Sequence, residues 1–100
     1  MEFDPLLADP TRLKILALLA SCDWAEFSFV RETAGLSKSA LSKQVSKLEE
    51  HEYVQVHKGY VGKFPRTSLR LTDTGRSAIQ NHLAALQQIV DQSSRRSPPP

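Results

Sequence analysis

The chain is predicted to be mainly α with a small antiparallel sheet, and three features carry that prediction. Residues 37–50 place Leu41, Val45 and Leu48 at i, i+4 and i+7, the apolar stripe of an amphipathic helix. Tyr53–Lys58 and Thr67–Leu71 alternate at period 2, as half-buried strands do. A short helical stretch and a Gly-Leu turn at Gly35-Leu36 precede the amphipathic helix, and a basic hairpin follows it. That succession is a winged helix-turn-helix: helix, short strand, two-helix reader, β-hairpin wing and C-terminal dimerisation helix.

Each element has its own signal. Phe3, Leu6 and Leu7 around Pro5 give the N-terminal segment enough apolar surface to dock. Asp9-Pro10 opens the first helix, an acceptor at the cap followed by proline at the first helical position. From Thr11 to about Ser21 that helix is apolar on most sides, so a central position is expected, with Arg12 and Lys14 at its wetter edge. Cys22-Asp23-Trp24-Ala25 breaks the pattern, and Glu26-Phe27-Ser28 can supply a very short strand. Phe29–Ala34 reads as a short helix capped by Ser28, with Phe29, Val30 and Ala34 inward and Gly35 as a left-handed C-cap. Ser37 caps the helix behind it.

In the hairpin, Val54, Val56, Leu69 and Leu71 share one face, and Gln55, His57, Ser68 and Arg70 the other. Gly59–Arg66 reads as a connection too long for a tight turn, in which proline resists strand pairing. Tyr60 and Phe64 are expected to pack that loop against the body or a partner. Thr72 caps the last helix with Asp73 in its first turn, which Gly75 weakens. Ile79, Leu83, Leu86 and Val90 step by 4, 3 and 4, a seam widened by Ala78, Ala85 and Ile89 that suits a dimer contact, with intramolecular core as the alternative over so short a run. Residues 1–92 are expected to form one DNA-binding and dimerisation domain, and the polar, proline-ended 93–100 a disordered tail.

A net charge of +2 decides little, but its distribution is informative. Residues 1–36 hold three Lys or Arg against six Asp or Glu; residues 37–70 hold seven against three. Positive charge thus gathers on the reading helix and hairpin, where a polyanion would meet it. A single cysteine, Cys22, permits no intrachain disulfide and suits a reducing compartment; core packing is expected of it, and also of Trp24. With no membrane-length apolar run and no leader-like N-terminus, a cytoplasmic protein without membrane association is expected.

No enzyme is expected. The chain has no phosphate-cradling glycine loop, no Gly-x-Ser-x-Gly and no His-Glu-x-x-His. Glu49, Glu50 and Glu52 read as a solvated run at a helix end. His51, His57, His82 and Cys22 lack metal-ligand spacing, so no metal site and no cofactor are expected.

On the amphipathic helix, Ser39, Lys43 and Ser46 fall opposite the apolar stripe, flanked by Ser42 and Lys47. Short hydroxyls permit close approach to a DNA major groove, and lysines reach bases or phosphates. The bland alternative for such a face is simple solvation. On the wing, Lys63 and Arg66 are placed for phosphate or minor-groove contact.

The chain resembles the small MarR/ArsR-like winged-helix transcriptional regulators, in particular their single-domain group. The carrying residues are Leu7–Leu16, Gly35-Leu36-Ser37, Leu41-Ser42, Lys47-Leu48-Glu49, Lys58-Gly59, Pro65-Arg66-Thr67 and Leu71–Arg76. The resemblance implies a homodimer on a roughly palindromic operator, with DNA contacts at Lys38, Ser39, Ser42 and Lys43 and on the wing from Lys63 to Thr67. The thiol-rich motif of metal-sensing relatives is missing, and the long dimerisation helices of larger relatives are reduced to the terminal helix and the N-terminal segment.

The expected function is therefore a sequence-specific transcriptional regulator, a repressor on double-stranded DNA, with room for a small-molecule effector whose identity the sequence does not specify. The expected DNA-contacting residues are Ser37, Lys38, Ser39, Ser42, Lys43, Ser46, Lys47, Lys63, Arg66 and Thr67. Phe3, Leu6, Leu7, Ile79, Leu83, Leu86 and Val90 are the expected dimer contacts. The competing class is a protein-interaction or scaffold module whose basic face meets an acidic partner. The serines on the outer helix face suit a groove better than a flat protein surface.

Overall fold

Asp9 caps α1 (Pro10–Ala20) as its type dictates: the carboxylate accepts the Arg12 N–H at 3.0 Å, and Pro10 sits where a missing N–H costs nothing. The structure, a computed structural model, describes residues 3–95. Over that span α1 is followed by β1 (Ala25–Glu26), α2 (Phe27–Ala34), α3 (Lys38–Glu50), β2 (Val54–Val61), β3 (Phe64–Leu71) and α4 (Asp73–Arg95). The strands form one antiparallel sheet in the order β1-β3-β2. This is the winged-helix architecture expected from the sequence.

The apolar helix α1 is central, touching α2, α3, α4 and β3. Ile15, Leu16 and Leu19 meet Val30, Leu41, Leu48, Leu69 and Ile79 in one core. Burying each of the leucines contributes about 1.5–3 kcal/mol relative to exposure. Leu6 and Leu7 join this core, so the N-terminal segment is part of the body. Arg12 secures it, donating from Nε to the Leu6 carbonyl at 2.6 Å and from Nη1 to Gln44 Oε1 of α3 at 3.2 Å.

Asp4 ties the same segment to the start of the hairpin by accepting the Tyr53 hydroxyl. Burial, then this hydrogen bond and the Asp4 charge, push the Tyr53 phenol up to about 12 from its ordinary 10.0. Its folded value is raised, so this contribution to stability is complete below pH 10 and lost as pH rises from 10 to 12. Tyr53→Phe is expected to be less stable than the parent at neutral pH by about 1 kcal/mol. The two stability curves should converge between pH 10 and 12 in denaturant titrations at each pH; parallel curves would refute the assignment.

Several local expectations are corrected. The short strand is Ala25–Glu26, because Ala25 and Glu26 pair with Leu69 and Ser68. Phe27 therefore begins α2 and packs on the core, while Phe29 is 48% exposed; Ser28 is inside the helix and Glu26 is at the cap position. Trp24 lies on the outer face of the sheet, half-exposed, with the Arg70 guanidinium 5.7 Å from its ring centroid and His57 at 6.0 Å. Cys22 is half-buried at the core margin, where packing was expected.

The hairpin is tighter than expected. β2 and β3 pair from Val54–Leu71 out to Val61–Phe64 and close through Gly62-Lys63 alone. Gly62, at φ +63°, takes the first central position of a two-residue turn, where glycine is favoured. Such a turn closes on a hydrogen-bonded pair, so the next pair, Tyr60–Pro65, exchanges no N–H and proline costs no ladder bond.

At the other end of β3, Thr72 Oγ1 accepts the Gly75 N–H at 2.9 Å and donates to the Glu52 carbonyl at 2.6 Å, starting α4 as expected. That helix continues through Ser93 to Arg95, past the expected domain end at residue 92; the rest of the expected tail, 96–100, lies outside the described residues. No helix among the described residues is long and apolar enough to cross a membrane.

Candidate nucleic-acid interface

The direction of α3 is set by the turn that precedes it. Gly35 adopts φ +70°, and its N–H and that of Leu36 close the end of α2 on the Glu32 and Arg31 carbonyls. Two residues later Ser37 Oγ accepts the Ala40 N–H at 3.1 Å and starts α3. The chain thus turns between two helices with no spare residue. Leu41, Val45 and Leu48 are buried beneath α3, which leaves Ser37, Lys38, Ser39, Ser42, Lys43, Ser46 and Lys47 exposed together.

The hairpin divides this face. Lys38, Ser42, Ser46 and Glu49 line a crevice against Val56, Lys58 and Thr67 of the sheet. Helical phase turns Ser39, Lys43 and Lys47 away from that crevice to open solvent. Thr67 therefore joins the expected set on the helix side of the wing. Lys58, absent from the contacts expected from the sequence, joins it too. The signal was present: Lys58 shares the alternation of Val54 and Val56, so a longer strand puts it beside α3.

Lys63 is exposed at the hairpin turn. Arg66 departs from the expectation of a free cation near the tip. It stands opposite Gly59, and its Nη1 lies 3.1 Å from Glu26 Oε1, an ion pair bracing β3 against β1. Both partners are about half exposed, so the pair contributes at most about 1 kcal/mol. Tyr60 and Phe64 are 76% and 77% exposed, so of the two expected packing surfaces, the body or a partner, the body does not take them.

The residues expected at a dimer contact also divide. Leu6, Leu7 and Ile79 are satisfied inside the chain's own core. Leu83, Leu86 and Val90 remain exposed on α4, with Ile89 beside them. Phe3 lies half-exposed in a T-shaped contact with buried His82, ring centroids 5.6 Å apart. Together with Asp4, Tyr53, Ala78 and Ala85 these two line an open groove of about 650 Å³ beside α4. Among the described residues, no three His, Cys, Asp or Glu side chains gather as metal ligands would.

The family model described as winged helix DNA-binding domain matches residues 11–90. An uncharacterized protein of Methanocaldococcus jannaschii is 32% identical over 78 residues, covering 78% of this chain and 85% of that protein. Among solved structures, a transcriptional regulator homologue from Pyrococcus horikoshii OT3 is similar with a TM-score of 0.81 and 28% identity, over 87% of this chain and 86% of that one. The Mycobacterium tuberculosis transcriptional regulator MOSR, solved in complex with DNA, shares the fold with a TM-score of 0.70 at 17% identity, over 93% of this chain and 66% of that one.

Proposed function

Because the chain belongs to the winged helix DNA-binding domain family, we propose that it is a transcriptional regulator that binds a pseudo-palindromic operator in double-stranded DNA as a homodimer and represses by excluding polymerase. The carrying observation is the exposed α3 face, where short hydroxyls and lysines continue across a crevice onto Lys58 and Thr67. Short side chains let the helix approach base edges, and the cations around them meet phosphates. Ser39 and Lys43, near the N-terminal half of α3, take the reading role, as they do when such a helix enters the groove by its first turns. The acidic residues Glu49 and Glu50 lie at the far end of the helix, where Glu49 closes the crevice opposite the end that holds Lys38.

The first test is retardation of a random-sequence duplex at low salt, followed by selection of bound sites from genomic DNA. No retardation at any salt would refute the reading. On the selected site, Lys63→Ala is expected to weaken specific and random binding alike. It should lower the slope of log affinity against log salt by about 1 per lost phosphate contact, hence about 2 for a symmetric dimer. A loss confined to the selected site, with the slope intact, would assign Lys63 to base reading instead.

The dimer proposal rests on Leu83, Leu86 and Val90, 50%, 39% and 56% exposed along one helix. A self-complementary contact between two copies would cover them. Leu86→Asp is expected to leave the circular dichroism spectrum unchanged and to give a monomer in sedimentation equilibrium at about 10 μM, well above a specific dissociation constant. A folded variant that remains dimeric at that concentration would remove α4 from the interface.

A further inference from the structure

The hairpin tip is apolar and basic at once. Beyond Lys58 and Thr67 the two strands have no third strand beside them, since β1 reaches only Leu69 and Ser68. The remaining pairs, Gly59–Arg66, Tyr60–Pro65 and Val61–Phe64, carry the tip roughly 10 Å outward at about 3.4 Å per residue. Tyr60 and Phe64 are the two most exposed large hydrophobics among the described residues. Lys63 lies between them in sequence at the turn. From Val54 to Leu71 there is no carboxylate, and of the four cations in that span Lys63 stands at the turn, Arg66 is paired with Glu26, and Lys58 and Arg70 lie nearer the body. A protruding tip of this composition fits a polyanion that also offers an apolar surface.

Alternation says which way the rings face. Tyr60 lies on the side of the hairpin that carries Val56 and Lys58, and therefore looks toward the α3 crevice; Phe64 and Val61 take the opposite side. The Tyr60 side of the tip thus continues the candidate interface, while Phe64 and Val61 border a second hollow with Glu26, Phe27 and Ser28. With α3 in a major groove, the next surface along the duplex is a minor groove, roughly 17 Å away as half of the ~34 Å helical repeat. Sugars and base edges there are apolar enough to receive a ring, and apolar side chains inserted at a base step unstack and kink it.

We propose that Tyr60 and Phe64 act as an apolar wedge that enters the minor groove beside the reading helix, bends the duplex and selects a flexible pyrimidine–purine step at that position. This inference rests on the DNA-binding reading above and adds a second source of specificity, the deformability of DNA that α3 does not touch. Lys63 holds the phosphates on either side; the rings choose the step.

The experiment uses the full chain and a duplex selected by the wild-type protein, end-labelled for energy transfer and carrying 2-aminopurine at the step under the wing. Wild-type protein is expected to shorten the end-to-end distance and raise 2-aminopurine fluorescence. Tyr60→Ala combined with Phe64→Ala should abolish both signals and lower affinity roughly tenfold, within the range for loss of a ring–base contact, with little change in salt slope. It should also erase the preference for a TA step over an A-tract at that position. Lys63→Ala should keep the bend and lose slope. Both rings are exposed, so the double variant is expected to fold; an unchanged thermal melt checks it. If the double variant binds with the same bend, fluorescence and step preference as wild type, the wedge is overturned while the DNA-binding reading stands. If instead it loses affinity only for vesicles of anionic phospholipid, the tip belongs to a membrane surface and the proposal is equally overturned. If wild-type protein binds no duplex, both readings fall.

Discussion

Gly75→Ala is expected to lower the melting temperature by roughly 10 °C, although alanine is the better helix former. A Cβ at Gly75 would stand 2.2 Å from the Tyr53 carbonyl oxygen and 2.8 Å from Leu71 Cδ1. The oxygen has no freedom to retreat, because the Thr72 N–H donates to it at 3.1 Å across the junction of hairpin and α4. Overpacking of this kind costs about 3 kcal/mol or more, and helix propensity returns about 1 kcal/mol, leaving about 2 kcal/mol. For a domain of this size each kcal/mol moves the midpoint by about 4–8 °C. Gly35→Ala is the internal control. Nothing lies within 4 Å of its Cβ position, so only the φ of +70° opposes the substitution, at about 1–2 kcal/mol. A Gly75→Ala protein that melts at or above the parent temperature would mean that the hairpin and α4 are not held this closely in solution.

Ser39→Phe is expected to abolish preference for the selected operator while leaving random-sequence binding nearly intact. Ser39 is exposed on the first turn of α3, next to the capping Ser37, whose hydroxyl lies 3.3 Å from its own. A phenyl ring there would hold the helix off the base edges, while Lys38, Lys43 and Lys47 kept their reach to phosphates. A lost base contact costs about 1–3 kcal/mol per half-site, hence about 2–6 kcal/mol for two, with the salt slope unchanged. Affinities for selected and random duplexes across a salt series check this. Equal losses on both duplexes would give Ser39 a backbone-positioning role, and no loss on either would take α3 out of the groove.

Much of this molecule was legible in its sequence because the signals are local. Asp9-Pro10, Gly35 and Ser37 start and stop helices through hydrogen bonds that span only a few residues, so residue type alone locates those ends. Leu41, Val45 and Leu48 identify the buried side of α3, and the serines and lysines opposite them follow by geometry. Val54, Val56, Leu69 and Leu71 likewise settle which side of the hairpin faces the core.

Where the reading departed from the structure, the deciding contact came from elsewhere in the chain. Proline and glycine in 59–66 suggested a loose loop, but Pro65 falls at a pair that exchanges no N–H, a fact of register that the residue does not carry. Leu6, Leu7 and Ile79 look like dimer contacts until α1 and the sheet surround them, while Leu83, Leu86 and Val90 beyond the body stay exposed. Arg66 appeared free because Glu26, its partner, lies forty positions earlier on β1. Gly75, a weak helix former by propensity, is where the Tyr53 carbonyl approaches too closely for any side chain. Hydrogen-bonded ends and amphipathic faces arise within a few residues, so the sequence alone determined the order of the elements and the inward sides of α3 and the inner hairpin. Burial, register and close approach depend on neighbours distant along the chain, so tertiary structure alone decided which apolar and charged groups remain for a partner.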